Sequence, residues 1–151
     1  MSMTMEWDLG QFEQIDKELV YLKSHAVRVG VLGHEVTDGV SIQDYAVWNE
    51  YGTLRIPSRP FFRKALATRK AQREITELMQ SLFNELIQGG KTGEQMLRIV
   101  GEYCKARLVE SIKGGGWESN KASTLKYKNQ SQPLIDTTTL ISSIYYMIEG
   151  V

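Results

Sequence analysis

The chain has 151 residues, the size of one domain, and a domain of this size buries roughly 70% of its unfolded surface. Its hydrophobic content of 42% and charged content of 24% are close to globular averages, which excludes a chain that is disordered throughout. Lys plus Arg number 18, as do Asp plus Glu, so an electrostatic role requires local clusters of charge.

Apolar runs and cysteine content predict the cellular setting. No apolar run reaches about 18 residues, so no transmembrane helix and no membrane contact are expected. The first residues, MSMTMEWDLGQFEQ, lack a basic patch followed by an apolar core, so no secretory signal is expected. Cys104 is the only cysteine, which predicts a reducing cytoplasm and no internal disulfide.

The first third of the chain predicts a helix, a strand and a second, short helix. Apolar residues recur every three or four positions in residues 9–24, which predicts an amphipathic helix. The following AVRVGVLG alternates valines with other residues and predicts a strand with one buried face, and residues 34–40 indicate a turn or hairpin end. Ser41, with Asp44 three residues later, predicts a capped helix that ends near Gly52.

Two long helices are predicted in the middle of the chain. Residues 54–56 are expected to be extended before Pro57, and Ser58 to cap a helix of about thirty residues, roughly 45 Å long, that stops at Gly89-Gly90. A capping box at Thr92 predicts a second helix that runs to Gly114. Its apolar face is predicted to be Leu97, Val100, Cys104, Leu108 and Ile112. The short link predicts an antiparallel pair with Leu82 in its core.

The last part of the chain predicts a loop, a short helix and a closing strand. Residues 114–133 are polar and begin with three glycines, so we expect a loop that is mobile in the free subunit and orders against a neighbour. Asp136 is expected to cap a short helix through Ser143, and residues 144–148 alternate as a strand does. The predicted fold of residues 1–151 is therefore one α+β domain, with a small, mostly antiparallel sheet packed with two long helices and shorter helices.

Chemical motifs are weak in this sequence. GGKTG at residues 89–93 imitates the end of a phosphate-binding loop but follows a predicted helix, so a helix C-cap is favoured. His25 and His34 would lie on opposite faces of a strand, and Cys104 lies on a buried stripe. Asp44 and Glu50 are six residues apart and form no acid–base pair. We therefore predict no enzyme activity, no catalytic residues, no cofactor and no metal site.

Basic residues are concentrated between residues 55 and 73, where no acidic residue occurs. They are Arg55, Arg59, Arg63, Lys64, Arg69, Lys70 and Arg73. Cations in the first turns of a helix are disfavoured by its dipole, by about 0.3–1 kcal/mol each. Either they form a solvated helix face, or the countercharge comes from carboxylates of a neighbouring subunit or from phosphates. In the same stretch Tyr51 and Phe62 are expected in the core, and one of Phe61 and Phe62 as an exposed anchor.

Three segments taken together resemble a known family. VRVGVLG, YAVWNEYGTLRIPSRPFFRKAL and STLKYKNQSQPLIDTTTLISSI, within residues 26–150, are similar in order and spacing to the tail-completion or minor tail proteins of long-tailed phages, also labelled virion-morphogenesis or head–tail joining components. The signatures are an N-E-[FY]-G-T element that runs into I-P-x-R-P-F, and a late P-L-[IV]-D-T-G-x-L-x-x-S-I. This chain has Thr138 at the position of the late glycine.

The resemblance implies a structural virion assembly protein of a phage or prophage, without a catalytic site. Its partners would be copies of itself in a ring and other neck or tail proteins, with at most incidental contact to DNA. It would be made in the bacterial cytoplasm and be located in the virion neck or tail. The alternative is a nucleic-acid-binding protein that uses the basic cluster, although net neutrality counts against it. The predicted subunit-interface residues are Asn49, Glu50, Tyr51, Arg55, Arg59, Phe61, Arg63, Trp117 and Tyr127.

Overall fold

The computed structural model describes residues 9–32, 36–37, 39–116 and 138–151. The helices are α1 (Leu9–Ser24), α2 (Ile42–Tyr51), a short π-helical turn (Arg63–Ala67), α3 (Arg69–Ile87), α4 (Gly93–Lys113) and α5 (Thr138–Ser142). The strands are β1 (His25–Val31), β2 (Val36–Thr37), β3 (Val40–Ser41) and β4 (Ile144–Gly150). This arrangement is an α+β fold, as the sequence predicted.

The main sheet is an antiparallel ribbon of the first and last long strands. β1 pairs with β4 over seven residues, from His25 opposite Gly150 to Val31 opposite Ile144. The valines of β1 contact the buried side chains of the helices, so the predicted one-sided strand is confirmed. β2 and β3 form a separate two-stranded hairpin around Gly39, where a turn was predicted.

The core consists of two clusters that share partly buried side chains. One lies among α2, the C-terminal half of α4, α5 and β4, and its buried members include Phe61, Ile112 and Leu140. The other lies between α3 and α4 and includes Leu82 and Leu86, which confirms the predicted core position of Leu82. Val29 and Leu66 contact both clusters, and the two therefore form one continuous apolar interior.

α3 and α4 form the predicted antiparallel pair. Backbone N–H groups of Gly89 and Gly90 donate to the carbonyls of Leu86 and Glu85, and Gly89 has a φ of 76°, so GGKTG is a helix C-cap. The capping box between Thr92 and Gln95 is present, and all five residues predicted for the apolar face of α4 are buried.

The predicted single helix from Ser58 to Gln88 is wrong, because the helix is interrupted at Thr68. Thr68 has extended backbone angles (φ −71°, ψ 149°), and its hydroxyl caps α3 by accepting from the Ala71 N–H. The π-helical turn lies before this break. The sequence offers no large apolar residue between Leu66 and Ile75 to hold a continuous helix against the core, so a local cap can interrupt it there.

Several predictions fall on residues outside the described ranges. They are residues 117–133 of the predicted mobile loop, with Trp117 and Tyr127, and also His34 and the cap residue Asp136. The helix expected after Asp136 is present as α5. It begins at Thr138, in the helical conformation in which threonine in place of glycine is harmless.

Candidate functional site

The segment that carries the first family signature forms an elbow, which we define as residues 49–63. It connects the last turn of α2 with the start of the π-helical turn. Ser41 caps α2 as predicted, and Gly52 ends it with a φ of 78°. A Cβ at Gly52 would lie 2.9 Å from the Ser58 backbone nitrogen, so the two arms of the elbow approach too closely for any other residue.

A turn closed by Thr53 forms the tip of the elbow. The Thr53 hydroxyl accepts from the N–H groups of Arg55 (3.2 Å) and Ile56 (3.0 Å), and the Thr53 N–H donates to the Ile56 carbonyl. The predicted extended conformation of residues 54–56 is therefore wrong, because a threonine hydroxyl offers the backbone a local turn instead. Leu54 protrudes from this turn with 104% relative exposure.

Glu50 caps the helix start that follows the elbow. Its carboxylate accepts from the backbone N–H groups of Phe62 (2.8 Å) and Arg63 (3.1 Å), which are unpaired donors of a first helical turn. The predicted cap, Ser58, instead donates its hydroxyl to the Glu50 carbonyl at 2.9 Å. The cap is thus a buried carboxylate from the preceding helix, and the assignment to Ser58 is corrected.

A buried Asn–Arg pair fixes the inner side of the elbow. The Arg59 guanidinium donates to Asn49 Oδ1 at 2.8 Å, and the Arg59 backbone N–H donates to the Asn49 carbonyl at 2.6 Å. The Asn49 side-chain amide in turn donates to the Tyr45 carbonyl at 2.9 Å. Asn49 is 1% exposed and Arg59 is 4% exposed, so both polar groups are satisfied within the chain.

The countercharge of Arg63 comes from Glu50 of the same chain, so the alternative of a neighbouring subunit or a phosphate is not needed for this residue. Arg63 Nε lies 2.8 Å from Glu50 Oε1, and one of its terminal nitrogens donates to the Glu50 carbonyl at 2.9 Å. Arg59 is held by Asn49. The partners come from the same chain, because the elbow folds the start of the next helix back onto the end of α2.

Four of the predicted interface residues are buried in their own chain, so their side chains are not exposed for a subunit contact in this structure. They are Asn49, Glu50, Arg59 and Phe61. Phe61 is the inner aromatic of its pair at 2% exposure, whereas Phe62 is half-buried. Tyr51, expected in the core, is 68% exposed, and the Arg63 guanidinium lies 5.1 Å from its ring centre. Tyr51, Arg55 and Arg63 therefore remain accessible.

An apolar groove lies beside the elbow, between α2, the end of β1 and the helix start at Phe61. Its volume is about 350 Å³. It is lined by Val31, Gln43, Ala46, Val47, Glu50, Tyr51, Phe61, Phe62 and Arg63. The buried Glu50 and Phe61 form part of its wall, while Val47 and Tyr51 are more than half exposed at its edge. The groove therefore offers apolar contact area with one guanidinium at the rim.

Two further cations of the basic cluster have carboxylate partners in the same chain. Lys70 Nζ lies 3.8 Å from Glu74, and Arg73 Nε lies 3.7 Å from Glu77. Arg107 also binds Glu74, and this hydrogen bond is the main reason that the pKa of the Glu74 carboxyl is below its ordinary value. The cluster is thus partly neutralised on its own helix.

The residues considered for chemistry have structural contacts. Burial raises the pKa of the Cys104 thiol above its ordinary value, against a smaller opposite effect of Arg107. His25 Nδ1 lies 3.0 Å from the Tyr21 carbonyl, and its ring stacks on Tyr21. Asp44 accepts from the Ser41 hydroxyl at 2.7 Å. Among the described residues, no group of three or more His, Cys, Asp or Glu could hold a metal ion.

Sequence reasoning missed three contributors to this site, which are Thr53, Val47 and Leu54. Thr53 could have been found as a residue that begins a possible turn, since a threonine hydroxyl can accept from backbone N–H groups shortly after it. Val47 and Leu54 had no sequence signal, because exposure of an apolar residue depends on how the elbow folds. Trp117 and Tyr127 lie outside the described residues, so their relation to the elbow stays a prediction.

Comparisons of the chain with models of protein families, with curated proteins and with solved structures gave no match. Within the residues that the structure describes, no helix is long and apolar enough to cross a membrane. The function is therefore inferred from the elbow, the groove and the resemblance of their sequence.

Proposed function

We propose that this chain is a structural virion assembly protein of a phage or prophage, which joins or completes the tail at the head–tail junction through ring-forming subunit contacts. Its partners would be further copies of itself and other neck or tail proteins. The observation that carries the proposal is the elbow. The residues of the first family signature contact one another in the elbow, and they hold its tip exposed to solvent.

The elbow gives a physical reason for most positions of the signature. Asn49 holds Arg59, Glu50 caps the helix start, and Gly52 is required by close packing. Pro60 contributes its carbonyl to the Lys64 N–H, and Phe61 fills the core. Asn49 and Gly52 stiffen the elbow from within, while Glu50 and Phe61 also form part of the wall of the apolar groove. A rigid projection suits a protein whose task is to contact neighbours.

The surface around the tip has the composition of a contact region. Leu54 and Tyr51 are exposed apolar side chains, and the exposed Arg55 follows Leu54 at the tip. Aromatic residues and arginine are enriched in interface cores and in binding hot spots. Among the described residues, Leu54 is the most exposed large apolar side chain, so burial in its own chain does not explain a leucine there. A contact that forms only on assembly explains it.

The test is incorporation of elbow-tip variants into particles. We expect Leu54→Asp and Arg55→Glu, made together, to leave the melting temperature unchanged because both side chains are exposed. The variant should nevertheless fail to complement a deletion of the gene, with infectious titre reduced by orders of magnitude, and should be missing from purified particles.

The matched control is Val20→Asp on α1, which is 56% exposed and distant in sequence from the elbow. It should support a normal titre. A normal titre from the tip variant would contradict the role of the elbow. Absence of the wild-type chain from purified particles, by mass spectrometry, would contradict the virion role altogether.

A further inference from the structure

The ribbon of β1 and β4 leaves one long edge of each strand without a strand partner among the described residues. Each strand pairs only with the other in that part of the chain. Seven residues in extended conformation span about 23 Å, so each edge is long. An open edge of this length presents a row of backbone donors and acceptors to any other extended chain.

The hydrogen-bonding phase of the ribbon identifies the outward groups. Leu32 N–H donates to the Ser143 carbonyl (3.1 Å), and Val151 N–H donates to the Ser24 carbonyl (2.9 Å). These two hydrogen-bonded pairs continue the ladder of β1 and β4 at its two ends. Hydrogen-bonded pairs alternate along an antiparallel ladder, so Val29 on β1 directs its N–H and C=O outward. The equivalent residues are Val27 on β1 and Tyr146 and Ile148 on β4.

The edges lack several of the features that prevent strand pairing. Neither strand contains proline or lysine, and the seven-residue register has no bulge. In the described part of the chain, no other element donates a backbone hydrogen bond to the outward groups of either strand. Natural proteins protect long edges by such features or by covering them with a partner. These edges therefore fit a partner strand.

The side chains on the face of the ribbon turned away from the helices indicate which strand fits. β1 presents Arg28 there, 64% exposed, and β4 presents Glu149, which lies 2.6 Å from it. Pairing β1 with a second β1 would bring the Arg28 side chains of two copies onto neighbouring strands. Pairing β4 with a second β4 would do the same for the two Glu149 side chains. Pairing of β4 with β1 of another copy places opposite charges on neighbouring strands, which is the favourable combination.

The sizes of the side chains on this face favour the same pairing of β4 with β1 as the charges do. On the same face Tyr145 and Met147 of β4 are about half exposed. β1 carries the small Ala26 and Gly30 on either side of Arg28, and a Cβ at Gly30 would have no heavy atom within 4 Å. Within the chain Gly30 already lies opposite Tyr145. Gly30 is buried in its own chain, so this pair shows that the outer face of the ribbon accommodates a large side chain of β4 opposite a small residue of β1.

We infer that β4 of one copy pairs antiparallel with β1 of the next, so that the ribbons form a continuous sheet through the assembly. The contact is heterologous, since different edges meet, and it generates a ring if the rotation closes and a filament if it does not. This contact between β4 and β1 would be the surface through which copies of the chain associate. It rests on the proposed function only for its biological setting.

Disulfide trapping of purified protein tests the contact. In a Cys104→Ser background, Arg28→Cys protein is mixed with Tyr145→Cys, Met147→Cys or Glu149→Cys protein and oxidised, and covalent dimers are identified by intact mass. The three β4 positions share one face and sample the possible registers. Val20→Cys, on an exposed position of α1, is the matched control. Thermal unfolding of each variant confirms its fold before mixing.

We expect one of the three mixtures to give the mixed disulfide at about ten times the control yield, because a disulfide needs Cα atoms within about 7 Å. Dimers formed mainly between identical variants would overturn the heterologous pairing. Yields equal to the control in all three mixtures would overturn the edge contact. Mixed disulfides together with absence from virions would retain this contact and reject the virion role, so the two failures are distinguishable.

Discussion

Glu50 shows how one side chain can determine the shape of the elbow. Its carboxylate accepts from two backbone N–H groups and from the Arg63 guanidinium, although its side chain is only 8% exposed. Removing a carboxylate from water is costly unless hydrogen bonds replace the lost hydration. Three donors do so here, and they all belong to the start of the next helix. The charge of Glu50 therefore specifies where that helix begins.

Arg59 and Arg55 provide a matched pair of arginines four residues apart. We expect Arg59→Ala to lower the free energy of unfolding by about 1–3 kcal/mol, because it leaves the buried side-chain oxygen of Asn49, Oδ1, without this donor. Arg55→Ala, at the exposed tip, should change it by less than about 0.5 kcal/mol. Denaturant unfolding measures both. Equal, small losses would mean that the Asn49–Arg59 pair does not hold the elbow.

Ionisation of Glu74 makes the stability of the fold depend on pH in the acid range. Its folded-state pKa lies below the ordinary value of 4.5, mainly because of the hydrogen bond from Arg107. The unfolded chain therefore binds this proton first as the pH falls, so the stabilisation is present above pH 4.5 and is lost below it. We expect Glu74→Gln to have a lower melting temperature than wild type at pH 7, with the difference shrinking as the pH falls through 4.

The control for this pH series is Glu77→Gln. Glu77 is on the same helix, but its carboxylate is 65% exposed and 3.7 Å from Arg73. Its melting temperature should follow wild type at every pH, since exposed pairs are screened by water. A constant difference between Glu74→Gln and wild type down to pH 3 would show that the effect is not linked to ionisation of Glu74.

At the scale of the elements, the predictable parts are those with a repeating apolar face. α4 and the two long strands have such a face throughout, and their predicted extents match the structure closely. The elbow could not be predicted, because Glu50 contacts Phe62 and Arg63 across twelve and thirteen residues. Spacing rules describe neighbours within one helix or strand, and the contacts of the elbow depend on how two elements meet.

Gly101 marks the closest approach of α4 to β4. A Cβ at this position would collide with the Tyr146 ring, at 2.7 Å from Cγ and closer still to Cδ2. Alanine is normally favoured over glycine within a helix by about 1 kcal/mol. We expect Gly101→Ala to destabilise the protein instead, by about 1–3 kcal/mol, because overpacking outweighs propensity.

A double-mutant cycle isolates the cause of this loss. In a Tyr146→Ala background the ring is gone, so Gly101→Ala should become neutral or stabilising by up to about 1 kcal/mol. Chemical denaturation of the four proteins gives the coupling between the two positions. If Gly101→Ala has the same effect in both backgrounds, the glycine is not required by packing against the strand.

At the scale of the whole molecule, α4 connects the two ends. Near its first residue, the Gly93 N–H donates to the Glu18 carboxylate of α1 at 2.6 Å. Near its last turn, the Ser111 hydroxyl donates to the Phe61 carbonyl beside the elbow at 2.8 Å. With 21 residues, α4 separates these contacts by about 30 Å. The elbow and the α3–α4 turn therefore lie at opposite ends, while the ribbon lies along the helix between them.

The charge of the whole molecule bears on how strongly it can bind nucleic acid. Lys and Arg equal Asp and Glu at 18 each. Within the basic cluster Arg59 is buried, Arg63 pairs with Glu50, and two further cations pair with carboxylates of α3. Affinity for duplex DNA grows with the number of phosphates that cations neutralise, since each contact releases counterions. Cations already paired within the chain contribute little to such binding.

We therefore expect fluorescence anisotropy with a duplex oligonucleotide to give a dissociation constant no tighter than about 10⁻⁴ M at physiological salt, the weak end of non-specific binding. Arg69→Ala, an exposed member of the cluster, should leave this value unchanged. Micromolar binding would instead favour the nucleic-acid alternative, provided that it weakens steeply with salt and that Arg69→Ala reduces the salt slope by about one. The same titration at low salt gives the highest affinity for DNA that the chain can reach. Screening is then smallest, so even weak phosphate contacts become measurable.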